Sequence, residues 1–294
     1  MPENNYALHA MPMRHTIARE VAAEGIALHA GTQVRMMLAP ANSGAGIVFR
    51  RADLDGAEIP ARYDTVAETN LGTMLATARA KVGVVEHVMA AVAGAEIDDL
   101  LIILDGPEPP VLDGDALCYL DLIDKAGVKK QPAPRSAIKV LKRVEVAHKD
   151  ASAALAPADA LVFDFEFAFP SAAIGRHRFS FPFSPESFRR EIAPARTFGF
   201  LHELERLKEI DRGHGASLEN TLAIDGDRIV NGELMRFPDE FVRHKILDAI
   251  GDMALAGAPL IARFEGVRSG HALNNALLRA LFADPANCQL ISFS

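Results

Sequence analysis

Twice along its 294 residues this chain runs through one series: a helix closed by glycine, a short apolar strand, a loop, and a second helix. The first series has an apolar helical stretch over 84–93 with Gly94 where a C-cap belongs, the strand DDLLIIL (98–104), the loop GPEPPVLDGDA and the short helix CYLDLIDKAG. The second has a long helix after Pro238 ending at Gly257, the strand LIARFEG (260–266), a turn, and a final helix over 271–282. A helix followed by a buried strand cannot cover its own apolar face. Two such units therefore imply two similar α+β halves facing each other. The competing reading is coincidence, because helix–strand–helix order is common.

Strand signals surround both series. Alternation marks TIAREVAA (16–23) and QVRMMLAP (33–40), with EGIALHAG between them as a turn that carries His29. IKVLKRVEV (138–146) and LVFDFEFAF (161–169) resume the pattern, and Phe163, Phe165, Phe167 and Phe169 would share one face. KKQPAPRS (129–136), with two prolines, reads as a linker. It divides an N-terminal domain over 1–130 from a C-terminal domain over 137–294.

Hydrophobic residues make up 49% of the chain, enough for a sizeable core, and the net charge is −8 with no long run of like charges. Nucleic-acid binding is a poor fit, since a phosphate backbone calls for a basic face. Cys118 and Cys288 are the two cysteines and form no CxxC pair, so any metal must be held by His and carboxylate. The N-terminus lacks the apolar run of a signal peptide, and no stretch reaches the length of a transmembrane segment. A soluble, cytoplasmic protein is expected, with no obligatory protein partner.

Three stretches carry titratable groups where chemistry needs them. In RHKILDAIGD (243–252), His244, Asp248 and Asp252 are spaced i, i+4, i+8 and share one helix face. A His and a carboxylate one turn apart can bite one metal; the competing reading is a solvated helix face. In VVEHVMAAVAG (84–94), Glu86 and His87 open an apolar helix. A metal on His87 and a water on Glu86 would offset the cost of burying them. Glu at a helix N-terminus for the sake of the dipole is the alternative. In SGHALNNALLRALF (269–282), Ser269 could cap the helix. His271 could act as a general acid oriented by Asp252, or be plain surface histidine.

These motifs, together with EGIALHAGTQV, FRRADLDG, DGPEPPVLDGDA, ARTFGF and SLENTLAI, follow one another in an order and spacing that resembles the UDP-3-O-acyl-N-acetylglucosamine deacetylases of lipid A synthesis. The resemblance covers nearly the whole chain. It implies two similar α+β domains packed face to face around a zinc site, with an acyl-chain passage built by an inserted segment around 198–224. It implies His87, His244 and Asp248 as zinc ligands, Glu86 as general base and His271 as general acid. Thr197 falls at an oxyanion-stabilising position and Asp252 beside the acid. Lys245, Phe198 and Phe169 fall at substrate-contacting positions. Iron(II) fits the same donor set. The expected substrate is a UDP-linked acylated glucosamine, losing acetate from its N-acetyl group. The chain departs from the family pattern at Ala27, where Gly is usual, at Val84, where Thr is usual, and at Pro170-Ser171, where His-Pro is usual. Two other readings stand beside this one: a paralogue acting on a different N-acetyl sugar, and a non-catalytic UDP-glycolipid-binding protein.

Overall fold

The computed structural model describes residues 13–293; residues 1–12, the start of the expected first domain, and Ser294 lie outside the described residues. Two five-stranded sheets dominate. The first is built from β1 (Val21–Ile26), β2 (Gln33–Pro40), β3 (Ile47–Arg51), β4 (Ala57–Pro60) and β5 (Leu100–Leu104). The second is built from β6 (Val144–His148), β7 (Ala151–Ala156), β8 (Val162–Ala168), β9 (Arg176–Pro182) and β10 (Arg263–Val267). In both, the first two strands form a hairpin and the last strand inserts between the second and third. It runs antiparallel to the second and parallel to the third, and the fourth closes the edge. The spatial orders β1-β2-β5-β3-β4 and β6-β7-β10-β8-β9 are the same. The repetition visible in the sequence is thus a repetition of topology, in an α+β fold of two similar units.

Each unit also carries an insert between its fourth strand and its first long helix. In the first it is a three-stranded sheet of Val66–Glu68, Met74–Ala76 and Lys81–Val82; in the second, one of Phe198–Phe200, Leu222–Asp225 and Arg228–Ile229. Helices α1 (Glu86–Gly94) and α2 (Leu117–Ala126) belong to the first unit, and α3 (Glu240–Ala254) and α4 (His271–Ala283) to the second. α1 and α3 pack on each other along the seam between the units. They can approach closely because a Cβ on Gly251 of α3 would overlap the backbone carbonyl of Glu86 on α1. The buried apolar side chains of both units form one continuous cluster. Among the described residues no helix is long and apolar enough to cross a membrane.

Several local expectations shift. α1 begins at Glu86 rather than at 84, because Val84 adopts φ +52, outside the helical region. Gly94 is the last residue of α1 rather than a left-handed cap, and its bare Cα makes room for the ring of Phe188. The 129–136 stretch is not a free linker: Val128–Pro134 is a strand paired with Met13–Ile17. Its prolines are tolerated because it is one edge of a two-stranded ribbon. IKVLKRVEV splits into Ser136–Val140 and β6. Asp98 and Asp99 precede β5 and are spent on ion pairs, Asp98 with Arg135 and Asp99 with Arg14. In β8, Phe163, Phe165 and Phe167 are buried as the alternation requires, while Glu166 on the other face pairs with Arg176 and Arg178 across the hairpin. Phe169 falls past the strand end, is 39% exposed, and stacks on Phe200 at 4.4 Å.

Candidate active site

The stripe of polar residues on α3 faces inward, not to solvent. His244, Asp248 and Asp252 are all buried, as are Glu86 and His87 in the first turn of α1. Packing α1 against α3 brings the two sets together: His87 Nε2 lies 3.7 Å, and His244 Nε2 3.4 Å, from Asp248 Oδ1. The two imidazoles meet edge to face with centroids 5.0 Å apart. His244 Nδ1 donates to the Ala195 carbonyl at 3.0 Å, which leaves its Nε2 lone pair pointing at the cluster.

Burial holds both imidazoles neutral. His87 is pushed down to about 3 by desolvation and by its neighbour His244, and His244 is lowered chiefly by desolvation. Asp248 is also desolvated, but Lys245 and the histidines outweigh that and hold it well below the usual carboxylate range. Two neutral imidazoles and one carboxylate are the form in which these groups bind a metal. Donors around a tetrahedral ion with bonds of about 2.0–2.1 Å sit roughly 3.3 Å apart. The donor atoms of His87, His244 and Asp248 lie within 4.8 Å of one another, so the set closes on such an ion with small movements. A second cluster, Asp113, Asp115 and Cys118, does not offer the same, because Arg236 already pairs with both carboxylates.

Beside the ligand set stand two groups with opposed charge preferences. Glu86 is raised to about 7, by desolvation first and partly offset by His271. It accepts the Thr73 backbone N–H at 3.0 Å. His271, at the start of α4, points Nε2 at Glu86 Oε1 (3.8 Å) and at Asp248 Oδ2 (4.0 Å). Desolvation works against its charge, yet Asp252 and Glu86 prevail and raise it to about 10. Its Nδ1 donates to Asp252 Oδ2 at 2.8 Å. Asn274 donates to the same oxygen at 2.9 Å, and the Thr73 hydroxyl to Oδ1 at 2.6 Å. Both oxygens of Asp252 are therefore hydrogen-bonded, and one of them holds the Nδ1 side of the His271 ring. Ser269 does not cap α4; the N-cap is Gly270, and the Ser269 hydroxyl donates to Asn274 Oδ1.

Thr197 and Phe198 come from the second insert. Glu240 at the start of α3 accepts the Arg196 N–H and Nε–H, both at 3.0 Å, and so ties the residue before Thr197 to α3. Phe198 lies 6.1 Å from the His244 ring and 5.0 Å from Phe241. Lys245 sits between ligand and wall, with Nζ 2.7 Å from Asp248 Oδ2 and 5.3 Å from the Phe198 ring centre. Phe169 stacks on Phe200, whose other ring neighbour is His202, outside the cluster. An apolar cavity of about 480 Å³ lined by Met89, Val92, Ile250 and Met253 lies toward the C-terminal ends of α1 and α3, and no residue of the cluster lines it. The sequence reading missed Thr73, which serves both Glu86 and Asp252, and the Ala195 carbonyl. It noted Asn274 without a role.

Comparison with known proteins identifies the family. The family model described as UDP-3-O-acyl N-acetylglycosamine deacetylase matches residues 14–283. A UDP-3-O-acyl-N-acetylglucosamine deacetylase of Phenylobacterium zucineum is 45% identical over 96% of this chain and 97% of its own length. Enzymes of the same name from Anaeromyxobacter sp. (45% identical; 92% of this chain, 89% of theirs) and Acinetobacter baumannii (43%; 96% and 95%) are similar over comparable spans. The chain belongs to the UDP-3-O-acyl N-acetylglycosamine deacetylase family.

Proposed function

We propose that this protein is a zinc-dependent amide hydrolase that removes acetate from the N-acetyl group of UDP-3-O-acyl-N-acetylglucosamine, the committed step of lipid A synthesis. The observation that carries the reading is the pairing of a buried carboxylate with a charged imidazole 3.8 Å apart, beside a buried His-His-Asp set. A binding protein has no use for a base and an acid held ready at one point. The names of the relatives supply the substrate.

His87, His244 and Asp248 would hold the ion. A zinc ion bound there supplies Lewis acidity toward the attacking water and the acetamide carbonyl. The remaining work belongs to the chain. Glu86, whose carboxylate is destabilised by burial, takes the proton of the attacking water. The Thr197 hydroxyl donates to the oxygen that gains charge as the carbonyl carbon becomes tetrahedral. His271, held protonated by Asp252, gives its proton to the departing glucosamine nitrogen. The C–N bond breaks, and acetate and the free amine leave. Lys245 and Phe198 form the wall beside the sugar, and the more distant Phe169 meets the nucleotide. The segment around 198–224, with exposed Leu201, Ile210 and Leu218, supplies apolar lining for the acyl chain. The first domain is taken as residues 1–130 and the second as 137–294, and a substrate of this kind would put the enzyme in the cytoplasm.

The test is acetate release from UDP-3-O-acyl-N-acetylglucosamine by zinc-loaded wild type and by Glu86→Ala. Turnover by wild type with a loss of about 10²-fold or more in kcat for Glu86→Ala is expected. A fully active Glu86→Ala protein would sink the mechanism. Zinc-bound protein inert on this substrate but active on another N-acetyl sugar would move the reading to a paralogue.

A further inference from the structure

We propose that His29 is a positioning residue for the catalytic base: its imidazole ties the inserts of the two units together and holds the 71–73 turn that presents Thr73 to Glu86 and Asp252. This rests on the reading of Glu86 as base. His29 lies in the β1–β2 turn, buried, and touches none of the metal-binding side chains. The Gly213 N–H, in the second insert, donates to Nδ1 at 3.3 Å. A backbone N–H can only donate, so Nδ1 is the bare nitrogen and Nε2 carries the hydrogen. Nε2–H then donates to the Leu71 carbonyl, in the first insert, at 2.9 Å.

The surroundings fix this imidazole from every side. The His29 N–H donates to buried Glu108 at 2.8 Å, and the His29 carbonyl accepts the His214 N–H at 3.2 Å. Gly215 is pressed so closely on Ala27 that a Cβ there would overlap the Ala27 carbonyl, and a Cβ on Gly31 would overlap His214. The turn it holds needs holding. Leu71 has φ +62, a conformation that side-chain-bearing residues resist, and Gly72 follows at φ +148. Two residues beyond the anchored carbonyl, the Thr73 N–H reaches Glu86 and its hydroxyl reaches Asp252. Motion of the second insert is therefore transmitted through one ring to the base and to the carboxylate that orients the acid.

The experiment uses full-length, zinc-loaded wild type with His29→Gln, His29→Asn and His29→Phe. Glutamine sets an amide N–H where Nε2 was and keeps the donation to Leu71. Asparagine sets an oxygen where Nδ1 was, keeps the bond from Gly213 and loses Leu71. Phenylalanine loses both. The expected result is a fall in kcat of about 10- to 100-fold for His29→Asn and His29→Phe, with KM and bound zinc near wild type. His29→Gln should recover most of the loss. Amide exchange over residues 71–76 should quicken in His29→Asn and not in His29→Gln. Equal kcat and equal exchange for His29→Gln and His29→Asn would overturn the proposal, and that contrast stands even if His29→Phe fails to fold. Wild type that releases no acetate would contradict the deacetylase reading instead, while the exchange contrast would still test the hold on the turn.

Discussion

Glu86 and His271 face each other beside the ligand set, and their surroundings push their charge states in opposed directions. Glu86 acts as base only when ionised, so the rate should rise with pH through about 7. His271 acts as acid only when protonated, so the rate should fall as pH passes its raised value, about 10. Asp252 is the principal charge holding that proton. Asp252→Asn should therefore move the alkaline limb of the kcat profile to lower pH; a limb that stays in place would show that another group sets it. Some of this was legible beforehand. His244, Asp248 and Asp252 announce themselves by i, i+4, i+8 spacing, since one helix face needs no knowledge of the fold. His87 could be joined to them only by resemblance. Thr73 was invisible, because its partner Asp252 is 179 residues away and an isolated threonine before a short strand carries no signal.

The seam between α1 and α3 turns two local motifs into one site. Gly251 is the element-scale requirement, because α3 rests there on the Glu86 carbonyl. Gly251→Ala should cost about 1–3 kcal/mol by overpacking, and should also weaken zinc binding by displacing Glu86 and His87. Gly94→Ala is the matched control. It meets the ring of Phe188, away from the ligands, so it should lower stability with zinc affinity near wild type. Thermal melts and metal titrations of the two variants separate these outcomes; equal zinc affinity in both would argue against the seam as the positioning device. The helices were found in the sequence from periodicity and glycine stops. Their ends were not, because Val84 takes a left-handed backbone that valine seldom adopts, and only the packed site explains its being held there. The strand break at Ala262 was equally hidden: the apolar run of Leu260, Ile261 and Ala262 continues while the hydrogen-bonding partner changes from Ser136–Val140 to β7 and β8.

At the scale of the molecule, the two units share one strand order and one continuous core, and the proposed ligands come from both: His87 from the first unit, His244 and Asp248 from the second. Zinc should therefore stabilise the units jointly. A ligand at 100 times its Kd adds about 2.7 kcal/mol to the native state. Chelation should lower the melting temperature of a single transition, whereas two transitions with only one moving would show that the units melt apart. The duplication was readable because helix, strand and helix recur in order. The shared small inserts were not, since their strands are two to four residues long and their sequences differ. The first insert brings Thr73 to Glu86 and Asp252, and the second brings the Phe198 ring to 6.1 Å from that of His244.

The central claim is that His87, His244 and Asp248 hold one catalytic zinc. It is tested most directly by titrating metal-free wild type, His87→Ala and Asp248→Ala with zinc while following bound metal and acetate release together. The account predicts that wild-type activity rises in step with occupancy and saturates at about one ion per chain, while both variants bind weakly and release little acetate. Activity that persists in metal-free wild type, or variants that bind zinc and turn over like wild type, would contradict it.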